Sequence, residues 1–324
     1  IRDQEIKDFL AAKNINFKSF KDQVIFQKDE IVKADGKPYT VYTPYSKQWL
    51  LKFNDQNIEF FSSEKKLDNL LNIEKHNITL EHIGFKKTNY IFEPPKINLE
   101  ILEKYHETRN LPTKETSQMS VHLRFGTISA RKLVKLASEL NDNTYLKELI
   151  WREFFMQILW HFPKVIHHSF KEKYDNIAWE NNEELFQKWC EGKTGYPIVD
   201  AGMRELNETG LMHNRVRMVC ASFLTKHLLT DWRIGEAYFA EKLMDYDLSA
   251  NNGNWQWSAG SGCDAAPYFR VFNPDEQTKK FDKGLIYIKK WVKEFGTSTY
   301  PKPIIEHKFA RERALKRYKE GLGD

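Results

Sequence analysis

From about residue 99 onward, apolar positions recur at helical spacing, and no strand-like alternation of useful length interrupts them. Leu133, Val134, Leu136, Ala137 and Leu140 fall on one face of a segment running from Ser129 to Leu140, with Ser129 placed to cap it. A second helix is expected to begin at Asn143-Thr144 and to stop before Pro163. A third starts at Pro197 and ends near Gly210, matching the preference for Pro in the first turn and Gly beyond the last. A fourth runs from about His213 to Leu229, and a fifth from about Ile234 to Met244. Before residue 54 the pattern is mixed. Glu5 to Lys13 reads as helix, Val24-Ile25-Phe26 and Tyr39 to Thr43 as β-rich, with a turn at Asp35 to Pro38 between them. That is too little to build a sheet on its own. Residues 54–98 are polar and Asn/Lys-rich, end in Glu93-Pro94-Pro95, and read as a linker with short helices.

Composition narrows the class only a little. The 324 residues are 41% hydrophobic, enough for packed cores, and the length suggests roughly two domains. The net charge of +5 and isoelectric point near 8.8 suit nucleic-acid binding, and much else. No apolar run in the sequence reaches membrane-spanning length or reads as a signal peptide. Cys190, Cys220 and Cys263 have neither metal-ligand spacing nor a disulfide framework, which points to a reducing, cytoplasmic setting and to no metal. The chain starts at Ile1 rather than Met, as a processed or truncated piece of a longer protein would.

Candidate chemistry changes the picture more. The run from Asp245 to Arg270 packs acids, amides, Trp255 and Trp257 into Gly-rich sequence with little hydrophobic periodicity. Such a run is poor material for a core helix and good material for a backbone closing on a flat aromatic ligand. In the helix through Tyr145 to Phe155, residues 148, 151, 152 and 155 share one face. Glu148 and Arg152 then form either a surface pair beside core aromatics, or a pocket wall where Trp151 stacks on a base and Glu148 hydrogen-bonds its edge. Asn214, Arg217 and Met218 share another face. Met alone reads as core filler, but Asn and Arg beside it need polar partners, and Arg217 with Asp245 meets that demand. The hydroxyls and backbone N–H groups of Thr116 to Ser120 suit either helix capping or phosphate oxygens.

Taken together, these segments resemble class I cyclobutane pyrimidine dimer photolyases, in the photolyase/cryptochrome family. The likeness runs through Tyr105 to Arg109, Thr116 to Ser129, Glu148 to Phe154, Gly192 to Arg204, Met212 to Met218, Asp245 to Arg270 and Tyr300 to His307. It covers nearly all of residues 99–324. Residues 1–53, ending near Tyr42-Thr43-Pro44-Tyr45-Ser46, resemble only the tail of the family's N-terminal α/β antenna domain. The fold implied is mainly α: an all-helical FAD-binding domain at 99–324, a linker at 54–98 and an α/β antenna remnant at 1–53.

The resemblance also implies roles. Tyr105, Thr116, Ser117, Met119 and Ser120 match positions holding the FAD phosphates and ribityl chain. Arg217, Asp245 and Asp247 match the charged positions around its isoalloxazine and adenine. Asn251 matches the residue facing flavin N5, where an amide accepts a hydrogen bond from a reduced, protonated nitrogen. Glu148, Trp151, Asn214, Met218 and Trp257 match the wall that receives a flipped dimer. Arg109, Arg152, Arg215 and Arg270 match a basic rim that grips flanking phosphates. Trp255, Trp232 and Trp179 match a tryptophan chain from the flavin to the surface. Each alone reads as core packing; three in register read as an electron path. Two departures stand out: Asn254 where many relatives carry a second Gly, and Val121 where they usually carry Pro.

The implied activity is light-dependent repair of UV-damaged DNA by a monomer, with reduced FAD as electron donor to a pyrimidine dimer. Asn214 with Met218 fits dimer repair, and Asn251 leans the same way. The rival readings are a cryptochrome-type flavin photoreceptor and a light-independent damaged-DNA binding module. The antenna chromophore is unknown, because its pocket is largely missing.

Overall fold

The computed structural model describes residues 2–56, 61–70, 78–88 and 93–323. Among these residues the regular structure is helical, and the β pairing is one isolated bridge between Val32 and Pro38. The first helices are α1 (Arg2–Ala11), α2 (Tyr42–Asn54), α3 (Leu99–Glu103) and α4 (Tyr105–Thr108). Next come α5 (Met119–Phe125), α6 (Ala130–Ser138), α7 (Thr144–His161) and α8 (Glu183–Cys190). Then α9 (Pro197–Thr209), α10 (Asn214–Ser222), α11 (Trp232–Lys242) and α12 (Leu248–Ala259) follow. The last three are α13 (Pro274–Phe281), α14 (Ile286–Trp291) and α15 (His307–Leu322). No helix among the described residues is long and apolar enough to cross a membrane.

Two large hydrophobic cores, with a smaller cluster of Ile177, Leu229, Ala314 and Tyr318 at α15, hold the helices among the described residues. One joins α2, α6 and α7 through Tyr45, Trp49, Leu133, Ile150 and Phe154. The other joins α8 to α12 and α14 through Trp189, Ile198, Val216, Trp232, Trp255 and Ile288. The cores meet where α12 packs on α7. Gly253 makes that approach possible, since a Cβ there would stand 2.2 Å from the Phe155 ring.

Several sequence expectations hold. Ser129 Oγ accepts from Lys132 N–H at 3.4 Å and starts α6. Pro197 opens α9, and Gly210 ends it in the left-handed conformation at φ 69°. Leu133, Val134 and Ala137 are buried, while Leu136 and Leu140 are half-buried against the same core.

Others are corrected. The middle of the Gly-rich run is helix after all: residues 248–259 form α12. Asp247 caps it by accepting from Ala250 N–H at 3.0 Å. Buried neighbours surround this helix on most sides, so no apolar stripe marks it. Its amides find partners instead: Asn252 and Gln256 both donate to the Val165 carbonyl, at 2.9 and 3.0 Å. Asn254 sits inside the helix and donates to Ala250 O, so it needs no left-handed backbone. The helix expected from His213 to Leu229 is α only to Ser222, then continues as a π-turn over Phe223–His227. Thr225 Oγ1 donates back to Ala221 O there, a bond that competes with the α ladder.

The β-rich expectation before residue 54 also fails. Tyr42 and Thr43 open α2, whose first turn tolerates Pro44. Ile25 and Phe26 N–H donate to the Glu153 carboxylate rather than to a neighbouring strand. Of the expected linker, residues 57–60, 71–77 and 89–92 lie outside the described residues. The rest holds two 3-10 segments, Ser63–Asn69 and Glu81–Ile83.

Glu153 on α7 anchors this N-terminal segment. It is 4% exposed and accepts three N–H groups, from Ile25 at 2.7 Å, Phe26 at 2.9 Å and the Trp49 indole at 2.7 Å. Glu153→Ala leaves those donors unpaired and should lower stability by about 3 kcal/mol or more, read from a urea midpoint. Burial pushes the carboxyl up from 4.5 to about 7, although the three donors oppose it. The folded state therefore binds more protons than the unfolded state across that window, and the residue's contribution falls as pH rises through it. The gap between parent and variant should be larger at pH 5 than at pH 8.

Candidate functional site

Helices α4, α5, α7, α10 and α12 surround a cavity of about 490 Å³. It shares walls with a pocket of about 90 Å³ against Asn251 and Trp255, and with a space of about 680 Å³ along residues 112–122. Cofactor sites typically occupy about 300–1,000 Å³.

One end of the cavity suits anionic oxygens. Thr116, Ser117, Met119 and Ser120 line both larger spaces. Gln118 precedes α5 with φ 52°, and no side chain caps that helix. The hydroxyls at 116 and 117 are thus not helix caps, and the first N–H groups of α5 face no side-chain acceptor. Ser117 Oγ accepts from the Tyr145 hydroxyl at 3.1 Å, and Tyr105 stands edge-on to Tyr145. Val121, the departure from Pro, is simply buried in α5.

The middle carries fixed charge. Arg217 grips Asp245 with two bonds, at 3.1 and 2.8 Å, and donates a third to Met212 O. The Asp245 side chain is only 5% exposed. Burial pushes its carboxyl up, but the Arg217 fork and the Ser120 hydroxyl outweigh that and hold it below the usual range. Asp247 faces the same cavity while capping α12.

Asn251 sits at the inner pocket. Its amide nitrogen donates to Glu236 twice, to the backbone oxygen at 3.0 Å and to Oε1 at 2.8 Å. Its carbonyl oxygen is left as the acceptor. Glu236, on α11, was not singled out in the sequence. Burial raises its carboxyl, and the bond from Asn251 pulls the other way.

The outer end gathers the remaining candidates. Glu148 and Arg109 pair at 2.6 Å. Burial raises the Glu148 carboxyl, and Arg109 opposes the rise. Trp151, Asn214, Met218 and Trp257 line the same cavity. Arg215 donates to Asn110 at 2.6 Å and lies over Phe281 at 4.5 Å. Burial lowers its pKa first, and the charges of Arg109 and Arg270 lower it further, so three guanidinium groups stand near one another. Arg270 is exposed and lies outside the cavity lining. Arg152, like Arg109, lines the cavity; it donates to Gln23 O at 2.7 Å and feels the charge of Asp247.

Trp255 and Trp232 are buried in one hydrophobic cluster, and half-buried Trp179 packs against it. The Trp232 indole N–H has no partner. Trp179 meets Tyr318 edge-on at 5.8 Å. Sequence reading did not single out Trp189, which stands 6.2 Å from Trp255, nor Phe239, at 4.9 Å.

A long cavity with an anion-binding end, a fixed ion pair and an amide acceptor beside an indole fits FAD. Comparison with known proteins agrees. Residues 145–298 match the family model for the FAD binding domain of DNA photolyase, and residues 1–63 match that for DNA photolyase. The chain is 36% identical to a Vibrio cholerae deoxyribodipyrimidine photo-lyase, over 99% of this chain and 77% of that protein. The chain belongs to the photolyase/cryptochrome family. A second relative in this family, the Escherichia coli deoxyribodipyrimidine photo-lyase, is 37% identical over 98% of this chain and 75% of its own length. Among solved structures, a class III photolyase from Agrobacterium tumefaciens superposes with a TM-score of 0.84 at 32% identity, covering 100% of this chain and 77% of that one. Within the photolyase/cryptochrome family, then, the chain spans about three-quarters of these relatives.

Proposed function

We propose that this chain is a deoxyribodipyrimidine photo-lyase, which uses light and FAD to split cyclobutane pyrimidine dimers in UV-damaged DNA. The observation that carries this reading is one cavity with two sets of residues. Arg217, Asp245 and the 116–120 segment suit FAD, and Glu148, Trp151, Met218 and Trp257 on the same walls suit a flipped pyrimidine dimer.

Bound in its reduced form, FAD would supply a light-excited electron to the cyclobutane ring and take it back once the ring has split. The chain's own residues do the rest. Arg109, Arg215 and Arg270 grip phosphates beside the lesion, a sequence-independent and salt-dependent contact. Arg152, on the cavity wall, belongs to the same basic rim. Trp151 and Trp257 take the flipped pyrimidines by stacking and apolar contact, offsetting a flipping cost of a few kcal/mol. Asn214 and Met218 shape the pocket for a dimer, which favours the class I assignment. Glu148 hydrogen-bonds the dimer and steadies the charge that builds on it. Tyr105, Thr116, Ser117, Met119 and Ser120 hold the phosphates and ribityl chain. Asp247 sits with Arg217 and Asp245 around the rings. Asn251, oriented by Glu236, would offer its carbonyl oxygen to a protonated flavin nitrogen. Trp255, Trp232 and Trp179 carry electrons inward from the surface. Residues 1–53, 54–98 and 99–324 serve as antenna remnant, linker and catalytic domain, in a cytoplasmic monomer.

An absorption spectrum of the purified protein tests the cofactor reading. Flavin bands are expected. A protein that binds dimer-containing DNA without flavin would instead be a light-independent damage-binding module.

A further inference from the structure

The stacking partner of Trp151 comes from far away in sequence. Tyr42 opens α2, and its ring lies flat on the Trp151 indole, with 3.7 Å between centroids and 7° between planes. Phe154 meets the same indole edge-on, and Phe155 tilts against it, each at 5.5 Å. Tyr42 is itself held from three directions. Its N–H donates to Asp264 Oδ2 at 3.0 Å, its hydroxyl donates to Lys147 O at 2.8 Å, and its ring stands edge-on to Phe154 at 5.9 Å. Lys147 lies one helical turn before Trp151, so its carbonyl also belongs to the turn that carries the Trp151 N–H. Tyr42 is only 9% exposed.

We propose that Tyr42 is a positioning residue for lesion recognition: it covers one face of Trp151 and leaves the opposite face as the platform for a flipped pyrimidine. This rests on the reading of Trp151 as part of the lesion wall. Trp151 borders a cavity of about 490 Å³. An indole beside so open a space would otherwise sample several rotamers, and ordering it would weaken binding. A stacked ring fixes its plane without filling the cavity. The bond that Tyr42 N–H donates to Asp264 ties the arrangement to the segment after α12, so the clamp joins the N-terminal residues to the flavin-binding body.

The test measures the affinity of flavin-loaded protein for a dimer-containing oligonucleotide and for its undamaged counterpart. The variants are Tyr42→Phe, Tyr42→Leu, Tyr42→Ala, Trp151→Ala and the double variant Tyr42→Ala/Trp151→Ala. Tyr42→Ala should lose about three- to tenfold in dimer affinity, the worth of one aromatic pair, with undamaged DNA unaffected. Tyr42→Phe should stay within about twofold of the parent, since it keeps the ring. Tyr42→Leu, with volume but no ring, should fall between the two. The double variant should bind no more weakly than Trp151→Ala alone. Equal losses on both DNAs, additive losses in the double variant, or parent-like binding by Tyr42→Leu would overturn the proposal. If Tyr42→Ala does not fold, the Leu and Phe variants decide the matter. Unchanged dimer affinity in Trp151→Ala would instead remove the underlying reading of Trp151, a result distinct from a failure at Tyr42.

Discussion

Asp245→Ala should strip the protein of its flavin. The carboxylate is nearly inaccessible and is held by the two-pronged Arg217 contact. Removing it leaves a guanidinium unpaired in a cavity, a change that costs about 3–5 kcal/mol, or roughly a hundredfold or more in retention. Asp245→Asn keeps an acceptor but not the charge, and should lie between the two. The ratio of flavin to protein after gel filtration reads the effect. The same pair sets an acid limit. Asp245 titrates below its usual value, so its contribution is fully present above the ordinary carboxylate pKa of about 4 and is lost as pH falls through the depressed one. Flavin retention should be flat from pH 8 down to about pH 5 and fail only in stronger acid. Loss of flavin near neutral pH would show that another group governs the site.

Glu148→Ala should lower repair far more than binding. Glu148 is half-buried on the cavity wall, and Arg109 is its partner there. A hydrogen bond to a charged group is worth about 1.5–3 kcal/mol, so losing it should slow ring splitting about 10- to 100-fold. Dimer affinity should change only a few-fold, because stacking on Trp151 and Trp257 and the phosphate contacts remain. The measurement pairs dimers split per absorbed photon with affinity in the dark. Equal losses in both would make Glu148 a binding residue rather than one that acts on the charged dimer.

How much of this was legible in the chain depends on how local each feature is. The face carrying Glu148, Trp151 and Arg152 follows from helical spacing within α7 alone. The Arg217–Asp245 pair followed from the demand that a buried guanidinium find a carboxylate. By contrast, α12 escaped notice because periodicity signals a helix only when one face meets solvent, and this one is enclosed. Glu236 and Tyr42 were silent for another reason. Each acts on a residue of a different helix, Asn251 and Trp151, and only packing brings them together. The Val24–Phe26 segment was misread because its β-branched and aromatic residues resemble a strand, while the backbone bends at Ile25 and Phe26 and their N–H groups bond to the side chain of Glu153.

The account stands most directly on one assay. Flavin-loaded protein, its flavin reduced, is mixed with an oligonucleotide carrying a single thymine dimer, and intact thymines are counted after blue light and after an equal time in darkness. Dimers should disappear in the light and persist in the dark. Flavin-loaded protein that binds the lesion yet leaves it intact under illumination would contradict the account and place the chain among the photoreceptors.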